Sequence, residues 1–222
     1  MARTPSGTTK AADSSAGENL RAYGGEDGGI RVARRRATLI DAALELLGAS
    51  DGGSITVRGV CREAGLTTRY FYESFDSVEA LVSATFDGVI GEIADLGLAA
   101  FDSGDDVEAK VRGAVGAVVA VIDEDRRKGR LLFSQALLSP TIARKRMEST
   151  EIFAALTVQS AAGVVTFKSR PRGMAAAHFQ VGGLGRVLAA WLDGHLELDR
   201  DGIVDVGVGL MMALADGVAR FD

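Results

Sequence analysis

The chain has 222 residues, of which 47% are hydrophobic and 25% charged, with a formal net charge of −5. That composition belongs to a globular protein with material for a real core and excludes a chain disordered throughout. The apolar runs are broken by Gly, Asp or Arg short of the ~18 residues a membrane span needs, the N-terminal stretch has no apolar signal segment, and one cysteine cannot form an internal disulfide. A cytoplasmic protein with no membrane partner is expected.

In chain order, residues 1–29 are rich in Gly, Ser, Thr and Ala without apolar periodicity and read as a flexible arm. Residues 1–36 carry seven basic and four acidic side chains, whereas 82–222 carry fifteen and nineteen, so positive charge gathers at one end of an acidic chain. Helical spacing starts at "RVARRRATLIDAALELLG", where Ile40, Ala43, Leu44 and Leu47 form one stripe and Gly48 ends the helix. Thr56 is a natural N-cap for a short second helix, "VRGVCREA", with Val57, Val60, Cys61 and Ala64 on one side and Gly65 as its stop. A third short helix runs from Thr67 to Phe75. Asp76 with Glu79 has the spacing of a capping box, with Phe75 and Ala80 as a staple, so a long fourth helix is expected from about Ser77 to Ala100. Further helices are expected over 105–124, 127–138, 140–167, 174–197 and 201–220, about nine in all, and no segment alternates with period two long enough to build a sheet. The spacing predicts an all-α fold: an arm over 1–29, a three-helix unit over 30–76, and a helical remainder over 77–222.

Two short helices joined by a glycine turn form a helix-turn-helix pattern, in which the second helix presents its N-terminal residues to base edges in the major groove. Phe71 and Phe75 lie four apart and should face the core with Val60, Cys61 and Leu66. Thr67, Thr68, Arg69, Tyr70 and Tyr72 are then left outward. Arginine can fork onto guanine, threonine can meet base edges or a thymine methyl, and tyrosine hydroxyls reach phosphate oxygens. Cationic support would come from Arg34, Arg35 and Arg36 on the first helix and from Arg58 and Arg62 on the second. Arg3, Arg21 and Arg31 could lie along the DNA backbone or enter the minor groove.

Residues 34–81 resemble the N-terminal DNA-binding domain of the TetR (tetracycline-repressor-like) regulators. The resemblance is carried by "DAALELL", by "TVRGVCREAGL", by Tyr72 with Phe75, and by "DSVEAL". It implies that the residues matching Thr67 to Tyr70 lie toward the bases, that Tyr72 touches the DNA backbone, and that Thr56 holds a phosphate. One departure is Val78, where such proteins often have lysine. The rest of the chain would then be a ligand-binding and dimerisation domain, with "AAWLDGHLELDRDGIVDVGVGLMMAL" resembling the last helix pair through which such regulators dimerise. Gly182, Gly183, Gly185, Gly207 and Gly209 fit close packing there, since each costs about 1 kcal/mol relative to Ala in an exposed helix.

The expected function is a homodimeric transcriptional regulator, a repressor, that binds a palindromic double-stranded DNA operator and is released by a small, largely apolar effector. The alternative is a helical ligand-binding or interaction protein whose helix-turn-helix is weakened, as the acidic balance and Val78 suggest. Candidate effector contacts are Phe86, Phe101, Phe133, Met147, Phe153, Phe167 and Phe179, with His178 as the polar handle. No enzyme, cofactor or metal is expected. "GGLGRVL" has no preceding strand, Asp193, His195 and Glu197 on a helix put only the outer pair on one face, and Ser, His and Asp occur without a nucleophile elbow. Cys61 reads as a small buried hydrophobe.

Overall fold

The computed structural model describes residues 28–49, 55–134, 139–162 and 169–220, and every regular element among them is an α-helix. α1 spans Gly28–Gly48, α2 Val57–Glu63, α3 Thr68–Tyr72, α4 Val78–Asp102 and α5 Val107–Glu124. α6 follows at Arg126–Phe133, α7 at Pro140–Ala161, α8 at Arg170–Leu192 and α9 at Arg200–Arg220. Of the expected arm, residues 1–27 lie outside the described residues, while Gly28 and Gly29 already belong to α1.

The buried stripe of α1 is Leu39, Ala42, Ala43, Leu44 and Leu47, rotated from the expected one so that Ile40 is only half-buried. The rotation lets one helix serve two cores. Leu39, Ala42 and Ala43 pack with Val60, Cys61, Phe71, Phe75 and Leu81. Leu44 and Leu47 pack instead with Val82, Phe86, Leu131, Leu132 and Ile142. A third cluster, including Val119, Ile122, Leu188, Trp191 and Ile203, binds α5 to α8 and α9. α4 is the wall common to the first two, contributing Leu81 to one and Phe86, Ile90 and Ile93 to the other. Burying a side chain of this size contributes about 1.5–3 kcal/mol, so these clusters hold α1, α2 and α3 firmly against α4.

Several helix ends differ from the sequence expectation for local reasons. The N-cap of α4 is Ser77, whose Oγ accepts the Ala80 N–H at 3.1 Å, so the expected box on Asp76 is one residue out. Glu79 is held below its ordinary value by its own backbone N–H first and by the Ser77 hydroxyl second. α8 starts at Arg170 rather than 174 because Pro171 fits the first turn, where a missing N–H breaks no helical bond. It stops at Leu192 rather than 197. Gly194 takes φ +76°, and the N–H groups of Gly194 and His195 donate to Trp191 O and Ala190 O at 3.1 and 2.8 Å, a Schellman closure. Asp193, His195 and Glu197 therefore sit on a turn and not on a helix, and no group of three potential metal ligands occurs among the described residues. Trp191 Nε1 fixes that turn by donating to Leu198 O at 2.8 Å. α6 ends at Phe133 and α7 at Ala161; residues 135–138 and 163–168, on which the longer expected spans fall, lie outside the described residues. No described helix is long and apolar enough to cross a membrane.

Candidate nucleic-acid interface and ligand cavity

The turn between α2 and α3 is fixed at both ends by backbone chemistry. Thr56 Oγ1 accepts the Gly59 N–H at 3.1 Å and caps the start of α2. At the other end Gly65 adopts φ +63°, and the N–H groups of Gly65 and Leu66 reach back to Arg62 O and Cys61 O at 3.3 and 2.9 Å. A left-handed residue at this point reverses the chain within a few residues, which glycine does without strain. α3 then lies on the core by one face. Phe71 is fully buried, Phe75 nearly so, and the two rings stand 6.0 Å apart with Tyr72 edge-on to Phe71 at 5.3 Å. Burial also pushes the Cys61 thiol up from its ordinary pKa.

The outward face of α3 carries Thr67, Thr68 and Arg69, all exposed, with Tyr72 60% exposed and Tyr70 half-buried. Thr56, Arg58 and Arg62 on and before α2 are exposed on the same unit, as are Arg34 and Arg36 on α1. The arginines are not equivalent. The Arg35 guanidinium lies over the Tyr70 ring at 4.2 Å and pairs with Glu73 at 3.4 Å. Arg36 lies over Phe75 at 4.2 Å and donates to Ser74 O at 3.1 Å. Both therefore brace α1 to the end of α3. Arg69 meets Glu73 at 3.2 Å, yet its side chain remains 85% exposed, so this pair is a weak tether. Glu73 was missed in the sequence, where it sits inside a run read for aromatic and basic groups. The i, i+4 spacing of Arg69 and Glu73 was the available signal.

A second set of arginines, also unread in the sequence, joins this unit to the remaining helices. Arg127 on α6 contacts Asp125, Glu45 and Asp41 at 2.8, 2.8 and 3.4 Å, and Arg130 donates to Gly48 O at 3.0 Å. The hydrogen bonds Arg127 donates to Asp125 and then to Glu45 push its pKa upward, and accepting from Arg127 holds the Asp125 carboxyl down. The approach is close enough that a Cβ on Gly48 would lie 2.7 Å from Arg127 Cα. Only glycine allows α1 to end there.

A cavity of about 430 Å³ opens among α4 to α9. Of the sequence candidates, Phe86, Phe101, Phe133 and Phe153 line it, with Ile90, Val115 and Met212 among their apolar neighbours. Met147 and Phe179 do not line it; they are 72% and 71% exposed. His178 does not line it either and stands 3.5 Å from Glu151, while Phe167 lies outside the described residues. The polar groups in the lining are others, among them Arg146, Thr150 and Gln180. Arg146 Nη2 donates to Leu131 O at 3.0 Å and Ser134 O at 2.7 Å, closing the end of α6, while its Nε is buried without a partner. Desolvation pushes this guanidinium down from its ordinary value. Sequence spacing held the clue, because Arg146 occupies the inward row of α7 with Ile142, Ser149 and Phe153.

No family model matches the chain, and no curated protein does. Solved structures do. The fatty acid degradation regulator FadR from Bacillus halodurans superposes with a TM-score of 0.68 at 18% identity, covering 80% of this chain and 94% of that one. A TetR-family transcriptional regulator from Streptomyces coelicolor gives 0.66 at 19%, covering 86% and 84%. A TetR-like transcriptional regulator from a Rhodococcus species gives 0.65 at 17%, covering 83% and 97%. At these identities the likeness is one of fold: the chain has the fold of the TetR-family transcriptional regulators.

Proposed function

We propose that the chain is a DNA-binding transcriptional regulator that acts as a homodimer on a palindromic operator, as a repressor, and is released when a small, largely apolar ligand fills the cavity. The observation that carries this reading is the two-sided character of α3. Its inner face is bound into the core through Phe71, while Thr67, Thr68, Arg69 and Tyr72 stand in solvent on a helix fixed by a glycine turn. A short helix so presented suits the major groove. α8 and α9 support pairing with a second copy: Phe179, Val206 and Leu210 are exposed, and Gly182, Gly183 and Gly209 have nothing within 4 Å of a built Cβ. An exposed apolar face of this kind marks an association surface, and an isologous pair would repeat α3 at the spacing of a two-fold operator. α4 supports the release step, since it starts beside α3 and carries Phe86, Ile90 and Ile93 along the cavity.

Mobility shifts on the DNA adjoining its own gene, run across a salt series, test the reading. Sequence preference with affinity falling as salt rises is the expected result. Binding that is absent or indifferent to sequence at every salt concentration overturns it. One observation favours the alternative of a helical ligand-binding protein with a weakened DNA unit: Glu73 engages both Arg35 and Arg69, and so places a carboxylate beside the face that would meet phosphates.

A further inference from the structure

We propose that the cavity takes a monoanionic amphiphile, an apolar body bearing one carboxylate or similar acidic head, anchored on Arg146. The inference rests on the ligand-responsive part of the proposed function and is independent of the DNA-binding part.

Charge decides the sign of the ligand. Among the described residues lining the cavity, Arg146 and Arg186 are the charged ones, and no Asp or Glu is present. Arg186 is exposed, whereas Arg146 is half-buried on the inner side of α7, with its Nε wholly covered. A guanidinium offers five N–H donors and keeps its proton under all ordinary conditions. Here its bonds go from Nη2 to two backbone carbonyls, and the buried Nε–H has no acceptor. Carbonyl dipoles satisfy hydrogen bonds but supply no counter-charge, and a cation drawn partly out of water without one is disfavoured. The neighbouring polar side chains do not compete for the role. Ser149 and Thr150 both donate to Arg146 O, Thr157 donates to Phe153 O, and Gln180 Nε2 to Met211 O. The spare buried donor belongs to Arg146. A neutral ligand would cover the guanidinium without relieving it, and a cationic one would be repelled.

The remaining lining decides the body. It is dominated by Phe, Leu, Ile, Val and Met side chains, so apolar contact supplies most of the attraction. Dodecanoate supplies both parts, an apolar chain under one carboxylate.

Displacement of a fluorescent apolar dye from the full chain by dodecanoate, 1-dodecanol and dodecylamine, each below its micellar concentration, tests the inference. Dodecanoate is expected to bind at least about tenfold more tightly than dodecanol, with dodecylamine weakest, and Arg146→Gln should reduce the carboxylate preference below about twofold. Equal binding of acid and alcohol, preference for the amine, displacement by none of the three, or a preference that survives in the variant would each overturn it. Because Arg146 also closes α6, far-UV circular dichroism accompanies the variant, and if helicity is lost the head-group series on the unaltered chain decides alone. The DNA experiment separates the two readings. A chain that shifts its operator but ranks acid and alcohol equally loses this inference only, and one that ranks them as expected but ignores DNA loses only the regulator.

Discussion

Gly65 and Gly88 differ in backbone conformation and in little else that matters to a methyl group, so replacing each by alanine should move stability in opposite directions. A Cβ at either position meets nothing within 4 Å, which removes packing from the comparison. Gly65 has φ +63°, where an L-residue costs roughly 1–2 kcal/mol. Alanine recovers about 0.4–1 kcal/mol of this by restricting the unfolded chain. The net expectation for Gly65→Ala is a loss of about 1 kcal/mol. Gly88 is an exposed residue inside α4, where alanine is preferred by roughly 0.5–1 kcal/mol, so Gly88→Ala should stabilise by that amount. For a chain of this length 1 kcal/mol corresponds to a Tm shift of about 2–4 °C. Urea unfolding followed by circular dichroism measures both, and Gly65→Asn, whose side chain tolerates the left-handed region, should cost less than Gly65→Ala. Gly65→Ala matching or exceeding the parent in stability would refute the argument that the left-handed turn is what glycine provides before α3.

Other expectations concern the charged groups and the buried thiol. Arg69→Ala should weaken specific DNA binding by about 1–3 kcal/mol and relax preference at one base pair, read by mobility shift on a set of operator variants. Glu73→Gln frees Arg35 and Arg69 from their shared carboxylate, so DNA affinity at low salt should rise and its salt dependence steepen. Cys61 has its thiol pKa raised by burial. Its contribution to stability is thus fully present below the ordinary thiol value of about 8.5 and declines as pH rises through the higher folded value. Alkylation of the native chain at neutral pH should be slow against that of the urea-unfolded chain, and unfolding midpoints should fall above pH 8.5 more than in Cys61→Ala.

What could be read from the sequence was what local chemistry determines. The Thr56 cap, the Gly65 stop and the inward pair Phe71 and Phe75 follow from residue type and spacing, and the structure has each of them. Helix ends were less legible where competing signals lay close together. Asp76 and Ser77 are both good caps, and only the chain's path selects Ser77; Gly194 lies inside "DGHLE", which reads as a continuing helix, although its positive φ ends α8. The cavity was legible in its aromatic members on α4, α6 and α7 and not in its polar ones. Arg146 ends a run of three basic residues, Arg144 to Arg146, that reads as solvated surface, and its inward position depends on how α7 rolls against α4 and α8. Met147, its neighbour, reads as inward for being apolar and is instead the exposed one. Likewise the links from Arg127 to Asp41 and Glu45 span more than eighty positions, beyond the reach of any periodicity.

α6 has eight residues, fewer than an isolated helix needs to persist in water. Its existence is borrowed from its surroundings: Asp125 and the carboxylates of α1 hold its beginning, and Arg146 holds its end. A segment of that kind has no stability of its own to spend on half-formed states, so releasing either end melts the whole. Amide exchange across residues 126–133 should therefore rise and fall as a single unit, and an event at either end would be felt at the other as the presence or absence of a helix rather than as a graded shift of one.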